Sequence, residues 1–131
     1  MIHYLFVILS PFVFGLVLTI ITESIVIFIY GVTEPKVLKT AFYVNIITNP
    51  IMNIALSILV MFFGFNSTIF IVLLLELIVI YVEFRLFTMV YQNIFNKNTI
   101  IKLVILMNLV SFLTGLILSR FELFNVVLYD F

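Results

Sequence analysis

Residues 37–63 read VLKTAFYVNIITNPIMNIALSILVMFF, and this stretch decides the fold. A membrane-spanning helix needs about 20 mostly apolar residues. After Lys39 the run carries no charged residue. It does carry three amides, Asn45, Asn49 and Asn53. Their i, i+4, i+8 spacing puts them on one face of a helix. A transmembrane β-strand would instead span about ten residues of alternating polarity, and this run does not alternate.

Three similar runs surround it. The expected helices cover residues 4–30, 37–63, 68–92 and 99–119. The first stops at GVTEPK, where Gly31 and Pro35 break it, the second at GFNS and the third at NIFNKN. The chain has 131 residues, 66% of them hydrophobic and 9% charged. Soluble domains carry about 25% charge, so a soluble globular fold is excluded, and disorder needs a far less apolar chain. The expected class is all-α: a four-transmembrane-helix bundle forming a single integral membrane domain over residues 1–131. The tail FELFNVVLYDF, residues 121–131, is too short to span and is expected to lie at the interface.

Several functions are excluded early. Six basic and six acidic residues balance, which implies no nucleic-acid partner. There is no cysteine, and His3 is the single histidine, so one chain cannot build a multi-His metal centre. No cofactor is expected, and the identity of any metal is not indicated. The opening residues MIHYLFVILS lack Lys and Arg, so a cleaved signal peptide is not expected. Neither H-E-x-x-H nor G-x-S-x-G occurs, so an enzyme is not expected. An intramembrane hydrolase using Glu76 and Glu83 stays open, although they stand about 10.5 Å apart along a helix axis, beyond the usual glycosidase spacing.

Orientation follows from the basic residues. Lys36 and Lys39 flank the first connection, Lys97 and Lys102 follow the third, and Arg85 lies near the end of its helix. The opposite end has the uncharged GFNS turn, His3, and Arg120 beside Glu122. The positive-inside rule puts the Lys-bearing loops in the cytoplasm and both termini outside the cell membrane. Tyr4, Tyr30 and Tyr91 fall near expected interfaces. Arg85 lies about 200° around the helix from Glu83 and is expected to snorkel to the surface.

Charged side chains in hydrocarbon cost about 2.5–3.5 kcal/mol each on insertion scales. Glu23 lies in the first run, Glu76 and Glu83 share a face of the third, and Asn108 lies in the fourth. Glu23, Asn45, Glu83 and Asn108 each sit roughly nine residues from the cytoplasmic end, about 12–14 Å deep. Each helix thus gives one polar residue to a common layer, with Asn49, Asn53 and Glu76 deeper. Pro50 cannot donate to the Ile46 carbonyl, and a carbonyl so freed needs a partner inside protein or water. Carboxylates, amides and a free carbonyl together form a candidate ion or proton site. The plainer reading is interhelical glue, at about 0.6 kcal/mol per hydrogen bond, with each Glu held as a neutral acid.

Glu23 followed by Asn45-x-x-Thr48 is echoed by Glu83 followed by Asn108-x-x-Ser111. Such a duplication fits two parallel helical-hairpin repeats. The set of Glu23, N-x-x-T-N-P-x-x-N from Asn45 to Asn53, Glu76 with Glu83, and N-x-x-S from Asn108 resembles a group of small bacterial and archaeal four-helix membrane proteins of uncharacterised function. The resemblance implies the fold and no activity. The expected function is small-cation or proton-coupled transport in the lipid bilayer. It is expected to work as a homo-oligomer or with a membrane-protein partner, because four helices enclose little volume. The alternative is a non-transporting accessory or scaffold subunit of a membrane complex.

Overall fold

A computed structural model describes residues 2–120, and side chains over 12–118. The readings on His3, Tyr4, the Arg120–Glu122 pair and residues 121–131 lie outside the described side chains. Four helices follow in order: α1 Ile2–Ile29, α2 Pro35–Phe63, α3 Thr68–Tyr91 and α4 Lys97–Arg120. No strand occurs among the described residues. Their lengths of 28, 29, 24 and 24 residues correspond to roughly 36–43 Å. That exceeds the ~30 Å hydrocarbon core of a bilayer.

Three helices, α1, α2 and α4, are long and apolar enough to cross a membrane. The third is long enough but more charged. Any 18-residue stretch within it contains Glu76, Glu83 and Arg85. Short connections make successive helices antiparallel. They pack as a ring, α1 on α2, α2 on α3, α3 on α4, and α4 back on α1.

Local chemistry sets the ends. Gly31 and Gly64 adopt φ of 92° and 82°, a region that glycine enters without a Cβ penalty. Gly64 closes α2 by donating its N–H to the Val60 carbonyl at 2.8 Å. A 3-10 turn, Phe65–Ser67, then leads into α3. Pro35 was read as the end of the first helix, but it is also the first residue of α2. A proline suits that place, since its missing N–H would have no helical partner there.

Burial is lopsided along the bundle. The packed core holds Val26, Ile27, Val37, Val44, Phe87, Tyr91, Leu103, Val104 and Met107, all toward the end bearing the Lys-rich connections. Beyond Glu23, Thr48 and Asn108, toward the other end, no residue of α1, α2 or α4 with a described side chain is buried. Only Ile71 and Leu75 of α3 are buried in that half. Tyr91 corrects an expectation. It is not an interfacial ring but a core residue, 3% exposed, with its hydroxyl 2.7 Å from Thr40 Oγ1. It stands between Phe87 and Phe95, ring centres 6.0 and 6.1 Å away, and together they seal that end. Arg85 is exposed on the outer surface.

Candidate functional site

Polar side chains meet where the packed half ends. Asn45 of α2 donates its Nδ2 to Glu23 Oε2 of α1 at 2.5 Å, across 22 residues of sequence. Asn108 of α4 donates its Nδ2 to Glu83 Oε2 of α3 at 2.5 Å, across 25 residues. Each amide also donates to the carbonyl one turn earlier, Ala41 for Asn45 and Val104 for Asn108, both at 3.0 Å. The two hairpins therefore carry the same carboxyl–amide clamp in equivalent places. Glu23 and Glu83 are each 1% exposed, and both asparagines are buried.

The clamps differ at the second carboxyl oxygen. The Thr48 hydroxyl donates to the Val44 carbonyl at 3.0 Å and stands 3.4 Å from Glu83 Oε1. Ser111 holds Thr48's position in the second hairpin, but its hydroxyl donates to the Asn108 carbonyl at 3.1 Å. Glu23 Oε1 is buried and has no hydrogen-bond partner among the described residues. A buried acceptor left in this state costs about 1–3 kcal/mol.

The layer is the floor of a cavity of about 420 Å³ in the loosely packed half. Each helix lines it with one stripe: Phe12, Gly15, Thr19 and Glu23 on α1, and Asn45, Thr48, Asn49, Met52 and Asn53 on α2. Glu76 and Val79 come from α3, and Asn108, Ser111, Phe112, Gly115 and Leu116 from α4. Among the described residues no basic side chain lines it. Phe12 and Leu116, at the end of the cavity away from the Lys-bearing connections, are exposed.

The sequence candidates divide by position. Glu23, Asn45 and Asn108 line the floor, while Glu83 lies in the same layer but outside the cavity lining. Asn53 donates to Asn49 Oδ1 at 3.1 Å, and Asn49 donates to Thr19 Oγ1 at 3.3 Å, forming a polar wall. Glu76 faces the cavity, half-buried. Pro50 does not join them. Pro50 and Ile46 are exposed and neither lines the cavity, so Pro50 stands on the outer face of α2 and not beside the site. No group of three His, Cys, Asp or Glu among the described residues is placed to hold a metal ion. Thr19, Gly15 and Gly115 were not singled out in the sequence. The i+4 spacing of Thr19 to Glu23 was the available signal for the first. No protein-family model, curated protein or solved structure matches the chain.

Proposed function

We propose that this protein carries protons or small cations across a membrane by way of its carboxyl–amide layer. The observation that carries the reading is Glu23 Oε1, an oxygen without a donor on a residue that lines the cavity. A proton or cation delivered there removes the cost of the orphan acceptor. The acidic side chains and the absence of basic ones among the described lining residues support a cation over an anion. The equivalent clamp on Glu83 offers a second position in the same layer, joined to the first hairpin through Thr48. With the Lys-bearing loops in the cytoplasm, the cavity faces outside, and the Tyr91 core is the barrier on the inner side. The small enclosed volume of one bundle favours a working oligomer.

The test is flux in sealed vesicles containing the purified protein and a pH-reporting dye, under imposed proton, sodium or potassium gradients. Wild-type protein is expected to dissipate at least one gradient, and Glu23→Gln to abolish that activity while keeping the helical content. The accessory-subunit reading draws on the same clamps, because each ties two adjacent helices. It takes over if wild-type vesicles hold every gradient while Glu23→Gln only lowers stability.

A further inference from the structure

We propose that the cavity binds a small organic monocation, an amphipathic ammonium or amidinium, with its charged head beside Glu76 and its apolar body between α1 and α4. The proposal rests on the cation reading above and names the substrate class.

Size argues first. A cavity of about 420 Å³ lies within the 300–1,000 Å³ common for small-molecule sites, and a water takes only about 30 Å³. A dehydrated inorganic ion needs six or so converging oxygens at about 2.0–2.6 Å. The amide N–H groups are taken up by carboxyls, by one another and by Thr19, and no three acidic or imidazole side chains among the described residues converge to hold an ion. The space suits a molecule better than a bare ion.

Polarity argues next. The floor is polar and the mouth is apolar, with Phe12, Phe112 and Leu116 around it. A wholly apolar occupant would leave Glu76 without a polar partner, at a desolvation cost. A wholly polar one would gain nothing from the mouth. Among the described residues Glu76 makes no hydrogen bond and no basic side chain lines the cavity, so a ligand is the partner that supplies the charge it accepts. Glu23 and Glu83 each already accept from an asparagine, which leaves Glu76 as the lining carboxyl with both oxygens open to a ligand's N–H groups. The orphan Glu23 Oε1, on a side chain 1% exposed, marks the floor independently as short of a donor. An N–H group supplies one. Gly15 and Gly115 keep the space clear, since a Cβ on either meets nothing within 4 Å.

The test is calorimetric titration of the protein in zwitterionic lipid nanodiscs, with empty nanodiscs subtracted. The probes are 2-phenylethylammonium, its neutral counterpart 2-phenylethanol, and sodium and potassium ions. Saturable binding of the ammonium is expected, with the alcohol at least tenfold weaker. Glu76→Gln removes a charge-assisted hydrogen bond and is expected to weaken ammonium binding roughly ten- to a hundredfold. Gly115→Leu fills open space and is expected to weaken it at least tenfold without loss of fold. Equal binding of ammonium and alcohol would overturn the proposal, as would ammonium binding indifferent to both substitutions. If vesicle flux of protons or alkali ions depends on Glu23 but no ammonium binds, this proposal fails and the cation reading stands. If neither flux nor binding occurs, both fail.

Discussion

The hydroxyl of Thr48 stands 3.4 Å from Glu83 Oε1, and so links the first helical hairpin to the second within the polar layer. Its counterpart Ser111 is turned to its own helix, onto the Asn108 carbonyl. One of two otherwise equivalent carboxyls thereby has a hydroxyl within reach, its proton shared with the Val44 carbonyl, and the other has none. Thr48→Val deletes that donor while keeping a β-branched side chain. It is expected to destabilise the bundle by about 0.5–1.5 kcal/mol, measured by unfolding in mixed micelles. No change would mean that the 3.4 Å contact contributes nothing.

The two clamps should be energetically separate. Asn45→Ala combined with Glu23→Ala removes both partners of one hydrogen bond. The cost of the pair is expected to differ from the sum of the singles by about 0.5–3 kcal/mol, as for residues in contact. Asn45→Ala combined with Glu83→Ala, which share no hydrogen bond, is expected to add within about 0.5 kcal/mol. Double-mutant cycles on thermal unfolding check this. Equal coupling in both cycles would show that the layer acts as one unit.

The common layer of Glu23, Asn45, Glu83 and Asn108 was legible because hydrocarbon penalises every polar residue, and depth along a helix follows from counting; which carboxyl meets which amide was not. The four helices were legible from length and apolarity alone. The hollow half was not. Its residues are as apolar as those of the packed half, and lipid tails are no less apolar than a protein core, so hydropathy does not tell the inward stripe from the outward one. Tyr91 was misplaced for the same reason: its position near a helix end suggested an interface, whereas its partner Thr40 lies on another helix. Pro50 falls inside α2 where the sequence put it, but the face it lies on depends on helix rotation.

Tyr91→Phe tests the sealed end. The ring remains and only the 2.7 Å contact with Thr40 is lost. The expected cost is about 0.5–1.5 kcal/mol of stability, with no effect on ligand binding in the cavity, because neither Tyr91 nor Thr40 lines it. Calorimetry and thermal unfolding on the same preparation separate the two effects. A changed affinity would tie the seal to the site.

Gly115→Ala is expected to stabilise the protein. Gly115 lies inside α4, and an added Cβ meets nothing within 4 Å. Glycine within a helix costs about 0.5–1 kcal/mol relative to alanine, and no clash offsets that gain. Gly15→Ala in α1 should behave likewise. A loss of stability at either site would show that the cavity closes around the glycine in the membrane.

Deletions of like size should cost different amounts at the two ends of the bundle. Phe87 and Met107 are 2% and 0% exposed in the packed half. Phe87→Ala and Met107→Ala each open a void among atoms that cannot fully close on it, for an expected loss of about 2–5 kcal/mol. Phe112 and Met52 line the cavity and are only half-buried. Their contacts are already missing on the cavity side, so truncation enlarges an existing space instead of creating one, and each is expected to cost less than about 1.5 kcal/mol. The comparison is chemical like for like, phenylalanine with phenylalanine and methionine with methionine, and thermal unfolding of the four variants decides it. Equal costs would mean that the open half is packed as tightly as the closed one, with the cavity filled from outside the bundle by lipid or by another helix.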